Sequence, residues 1–213
     1  MLEFVEVVIA GAFVSAKSRS GKTALAFALR DGHIGVSMLL IKLGANINSQ
    51  DNSGYTPLIV AVLNKNLTMI TFLKKMGADP NIKDNNGNTA LLFAAFNGNS
   101  DILKLLKEMH AKVNAFNTSG QTPLIMATEK GKVEAVKQLL NMNADFDYRN
   151  NKEETPLIIA AKKGYVGIVE ELLNRGADIQ VRDKYDMTAL KWAEREGHTK
   201  VVELLKSLAE LLN

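Results

Sequence analysis

Apolar residues in this chain fall in short clusters, and the clusters recur every 33 residues. Threonine marks the period: Thr23, Thr56, Thr89, Thr122, Thr155 and Thr188 are evenly spaced, in the settings SGKTALAFAL, SGYTPLIVAV, NGNTALLFAA, SGQTPLIMAT, KEETPLIIAA and KYDMTALKWAE. A threonine before an apolar run is a helix N-cap. Pro57, Pro123 and Pro156 follow at the first helical position, where a missing N–H costs nothing. The pattern predicts a short apolar helix after each threonine, broken at Gly32, Gly98, Gly131, Gly164 and Gly197. A second helix follows, with a stripe such as Ile168, Val169, Leu172 and Leu173 at helical spacing. Gly44, Gly77 and Gly176 end it in three units; His110 and Asn143 stand at the same position in two others and tolerate positive φ. Asp- and Asn-rich segments such as DNSG and DNNG then predict tight hairpin tips.

Such a unit is too small to bury its own apolar face, so neighbours must stack into a quasi-one-dimensional solenoid. The expected architecture is all-α, helix–turn–helix units joined by short β-hairpin loops. One domain covers residues 1–213. Residues 1–17 form a half-repeat or N-terminal cap; 18–50, 51–83, 84–116, 117–149 and 150–182 are repeats; 183–213 is a C-terminal capping repeat.

The ends support those boundaries. Gly11 precedes Gly44 by one period, which puts Phe4, Val7 and Val8 on the second-helix stripe. A signal peptide is the competing reading of FVEVVIAGAFVSA, but Glu3 and Glu6 stand where a basic segment is needed. At the other end Ala209 replaces the turn glycine, so the last helix is expected to run through Leu211 and Leu212. Lys200, Glu203, Lys206 and Glu210 form its polar face.

Composition narrows the chemistry. The 213 residues are 46% hydrophobic and carry 26 basic against 23 acidic side chains, a balance too even to demand nucleic acid. No stretch of 18 apolar residues exists to cross a membrane. With no cysteine there is no disulfide, thiolate nucleophile or sulfur-ligated zinc. His33, His110 and His198 fall at separate repeat positions and are not expected to share a metal. No cofactor or metal is expected. The segment Ala16–Thr23 imitates a phosphate-binding loop, with Gly21, Lys22 and Thr23 in the key places. The repeat already accounts for Gly21 and Thr23, and Lys22 aligns with Tyr55, Asn88, Gln121, Glu154 and Met187. Nucleotide binding at Gly21-Lys22-Thr23 is therefore a remote alternative, and enzymatic activity is not expected.

These repeats resemble the ankyrin repeat family, whose pattern runs D-x-x-G-x-T-P-L-H-x-A-A, then G-H, L-L and G-A-D-V-N. The resemblance spans the chain as a half-repeat plus six 33-residue repeats. Three departures stand out. Ala26, Ile59, Leu92, Ile125, Ile158 and Lys191 replace the histidine of T-P-L-H. Glu153 and Asp186 stand at the hairpin glycine, and Lys65 at the inter-helix glycine.

The resemblance implies a non-enzymatic protein-binding module whose concave face is built from hairpin tips and the exposed ends of the first helices. On that face Tyr55, Leu63, Phe96 and Phe116 are unexpectedly apolar, and aromatic anchors are frequent hot spots. Beside them Arg149, Lys152, Lys162, Lys163 and Arg182 form a basic stripe, with Tyr185 at the last hairpin. The expectation is a monomer that binds a protein partner through an aromatic patch and a neighbouring basic stripe. The alternative is a structural segment of a larger ankyrin protein with no partner of its own.

Overall fold

The structure is a computed structural model that describes residues 14–211. The stripe residues Phe4, Val7 and Val8, most of the expected half-repeat, and Leu212 lie outside the described residues.

Among the described residues twelve helices form six consecutive pairs. They are α1 (Ala24–Arg30) with α2 (Ile34–Lys42), α3 (Pro57–Leu63) with α4 (Leu67–Lys75), and α5 (Ala90–Asn97) with α6 (Ser100–Glu108). Then come α7 (Pro123–Glu129) with α8 (Val133–Asn141), α9 (Pro156–Lys163) with α10 (Val166–Asn174), and α11 (Ala189–Arg195) with α12 (Thr199–Leu211). First helices pack on first helices and second on second, giving two layers. At 13 residues, α12 is the longest, too short to span a bilayer.

Each first helix begins where its threonine predicts. The hydroxyls of Thr23, Thr56, Thr122, Thr155 and Thr188 accept the N–H three residues on, at 3.2–3.3 Å. Thr89 holds the same extended backbone without that bond. Burial follows the stripes. Leu58, Leu91, Leu124 and Leu157 from the first layer meet Ile70, Leu103, Val136 and Val169 from the second in one continuous core. Each buried leucine or isoleucine contributes about 1.5–3 kcal/mol. Ile59, Leu92, Ile125 and Ile158, which replace the family's histidine, are buried too.

The substituted turn positions keep the glycine conformation. Lys65, Glu153 and Asp186 take φ of 54°, 60° and 60°, and His110 and Asn143 take 61° and 62°. The left-handed region disfavours such side chains, but the local turn bonds hold it: Lys65 N–H to Val62 O at 3.0 Å, Glu153 N–H to Asn150 O at 2.8 Å and Asp186 N–H to Asp183 O at 3.0 Å. Side chains also bridge the units. Asn48, Asn81, Asn114 and Asp147 accept the backbone N–H of Asp79, Lys112, Asp145 and Asp178 in the next repeat, at 2.8–3.1 Å.

The loops fold back at the predicted tips, closed by turn hydrogen bonds rather than by paired strands. Lys17–Thr23 is the single antiparallel β-bridge among the described residues. The reason is length: only two residues, as with Tyr55 and Thr56, separate each turn from the helix that follows, so no ladder has room to extend.

Candidate partner-binding surface

The hairpin tips are built by a repeated side-chain device. Asp51 Oδ1 accepts the N–H groups of Ser53 and Tyr55 at 2.9 and 3.0 Å, and Asp84, Asn117, Asn150 and Asp183 do the same in their units. An acceptor that bonds the N–H groups two and four residues on locks the turn and aims the residue after it. Successive tips are tied by backbone bonds, among them Asn85 N–H to Ser53 O at 3.2 Å and Thr118 N–H to Asn86 O at 3.0 Å. The tips therefore form one stiff edge.

Along that edge the expected aromatic patch resolves into separate contacts. Tyr55 is half-buried, its ring edge-on to Phe93 at 5.7 Å. Leu63 and Phe96 face solvent, 37% and 40% exposed, and Lys130 Nζ lies 4.5 Å from the Phe96 ring centre. Phe116 is 48% exposed, stacks on Tyr148 at 6.1 Å and receives Lys83 Nζ at 4.9 Å. Tyr185, the most exposed of the set, meets Trp192 edge-on at 6.5 Å. Among the described residues no ring contact joins Tyr55, Phe96 and Phe116 to one another.

The basic residues divide into two groups. Arg149 and Arg182 are held in their own hairpins, paired to Glu153 at 2.6 Å and Asp186 at 2.7 Å, and Arg149 also bonds Arg182 O at 2.8 Å. The Arg182 hydrogen bond and charge hold the Asp186 carboxyl below the usual carboxylate range. Lys152, Lys162 and Lys163 instead surround a cavity of about 270 Å³ between α7 and α9, shared with Glu129, Lys130, Glu154 and Ile159. Lys162 Nζ lies 3.2 Å from Glu154 Oε1 and 4.0 Å from the Trp192 ring centre. Glu154 is only 5% exposed and also accepts Asn150 Nδ2 at 3.1 Å.

One contributor escapes sequence reasoning. Trp192 underlies Lys162 and Arg195 and donates its indole N–H to Asp183 at 2.7 Å. Its signal was that the one tryptophan stands where other units carry Val60, Phe93, Met126 or Ile159. Lys130, which joins the Phe96 surface to the lysine cavity, shares the register of Asn64, Asn97 and Lys163 at the end of a first helix, so the repeat marks it as part of the binding face.

The phosphate-loop imitation has structural duties. A Cβ on Gly21 would lie 2.3 Å from Asn52 Oδ1, so glycine is needed for the approach of the next hairpin. The Thr23 hydroxyl caps α1 and lies 3.3 Å from the Ser49 hydroxyl. His198 packs on Gly164 and bonds Lys162 O at 3.2 Å, and His33 precedes α2. Among the described residues no group of three His, Asp or Glu side chains converges on a metal position.

No curated protein matches the chain. A family model for ankyrin repeats in three copies matches residues 1–84, 69–150 and 142–211. With helix pairs stacked in register and the threonine-capped, Asx-closed loops seen above, the chain belongs to the ankyrin repeat family.

Proposed function

We propose that the protein binds a protein partner on its concave face, as a monomer, through Leu63, Phe96 and Phe116 and the lysines around the neighbouring cavity. Ankyrin repeats are generally protein–protein interaction modules and typically non-enzymatic, and fold alone names no partner. One observation carries the finer reading. The register that holds Leu63 and Phe96 is charged elsewhere, as Arg30, Glu129, Lys162 and Arg195, and the register of Phe116 holds Gln50, Lys83, Arg149 and Arg182. Large apolar side chains left 37–48% exposed at such positions are surface that a partner would cover with gain. Arg149, Arg182 and Tyr185 border the surface, with the arginine charges paired in their own loops and the Tyr185 ring against Trp192.

The test compares capture of proteins from a lysate of the source organism by wild type and by a Phe96→Ser, Phe116→Ser variant. Both changes lie on solvent-exposed side chains, so circular dichroism and melting temperature should be preserved. A protein retained by wild type and lost from the variant supports the reading. Equal capture by both moves the site elsewhere, and no capture by either favours a stacking segment without a partner of its own.

A further inference from the structure

We propose that the cavity between α7 and α9 receives two acidic side chains of a partner peptide, an inference that rests on the partner-binding reading and specifies the partner's chemistry. Four ammonium groups border the cavity against two carboxylates, a surplus of two positive charges. One carboxylate is already committed, since Glu154 is buried and accepts Lys162 Nζ and Asn150 Nδ2. Lys152 and Lys163 are exposed and make no ion pair among the described residues.

Two of the four cations are also held in place. The Trp192 face and Glu154 fix Lys162, and the Phe96 face fixes Lys130. Ordering ammonium groups before a partner arrives lowers the entropy lost on binding. Arg149 and Arg182 differ, because their guanidinium groups already face Glu153 and Asp186.

A peptide fits better than nucleic acid. Glu129 and Glu154 lie in the same cavity and would repel a continuous run of phosphates, whereas two carboxylates can sit against the surplus lysines alone. Lys130 touches both the cavity and Phe96, so an apolar residue beside the acidic pair would reach the Phe96 ring.

Capped hexaglutamate is the probe, titrated calorimetrically at low ionic strength, with hexaglutamine as the neutral control. Wild type is expected to bind hexaglutamate and not hexaglutamine, more weakly as salt screens the charges. The Lys152→Gln, Lys163→Gln variant removes two exposed, unpaired ammonium groups and should weaken binding about tenfold without changing the melting temperature. An Arg149→Gln, Arg182→Gln variant should bind as wild type does. Trp192, the single tryptophan, gives a second readout, because engaging Lys162 alters the charge above its ring.

No binding of hexaglutamate, or equal loss in the arginine variant, would overturn the inference. Hexathymidylate binding as tightly as hexaglutamate would overturn it in favour of phosphate recognition. Hexaglutamate has no apolar side chain, so its failure to bind leaves the capture test on Phe96 and Phe116 standing. Loss of that test leaves this one intact.

Discussion

Asp147 Oδ1 accepts the backbone N–H of Asp178 at 3.1 Å, the joint that Asn48, Asn81 and Asn114 make in earlier repeats. Burial pushes the Asp147 carboxyl above its usual range, and repulsion from Asp178 and Asp145 adds to the rise, while the Asp178 N–H opposes it. A carboxyl raised in the folded state contributes stability that is full below its unfolded pKa and lost as pH rises through the folded value. Asp147→Asn keeps the acceptor and removes the charge. It should raise stability at pH 7, by no more than about 1 kcal/mol for a partly screened group. Thermal melts at pH 7 and below about pH 4 should show the gain at the first and its loss at the second.

Lys65 takes a left-handed φ of 54° where most units have glycine. Its side chain is exposed and makes no ion pair among the described residues. Lys65→Gly should therefore stabilise by about 1 kcal/mol, the order of the cost of that conformation for a residue with a Cβ. Urea unfolding checks it. A loss instead would mean that the lysine stem shields the apolar core.

Gly164 and Gly176 both have positive φ, 70° and 84°, but only the first is crowded. A Cβ on Gly164 would lie 2.6 Å from His198 Nδ1, whereas at Gly176 none of the described residues comes within 4 Å. Gly176→Ala should cost about the backbone penalty alone, 1–2 kcal/mol, and Gly164→Ala distinctly more. Adding His198→Ala should remove the excess, which a double-mutant cycle measures.

Lys162→Gln deprives a buried carboxylate of its cation. The loss should be about 1–3 kcal/mol in unfolding free energy, with a change in Trp192 emission. Glu154→Gln in the same chain should recover most of the stability, since a neutral amide needs no counter-charge.

Thr128 is fully buried, and its hydroxyl has no hydrogen-bond partner among the described residues. Ala95 and Ala161 occupy the same register in neighbouring units. Thr128→Val keeps the shape and removes the unpaired oxygen, so it should stabilise by about 1 kcal/mol or more. An unchanged or lower unfolding midpoint would show that the hydroxyl has a partner.

The helix pairs, their caps and the turn positions were readable along the chain because each depends on groups within a few residues. Thr155 reaches only as far as the Ile158 N–H, and Asn150 only to Lys152 and Glu154. The candidate surface was readable only in part. Repeat register marked Phe96, Phe116 and the basic residues as outward-facing, yet gave no means of separating Arg149 and Arg182, bound within their own hairpins, from the lysines of the cavity.

That separation depends on distances across the stack. Repeat spacing and residue type are enough to imply a solenoid, since a 33-residue unit with one apolar face must cover it with a neighbour. Whether Lys162 finds Glu154 and the Trp192 ring, or Lys130 the face of Phe96, depends on where side-chain tips end after packing. Charge and cation–π interactions act over a few ångströms, a scale that one-dimensional register does not resolve. Repeat register put Lys65, Glu153 and Asp186 at turn positions, but only the structure shows that they keep the left-handed backbone against the preference of the residues themselves.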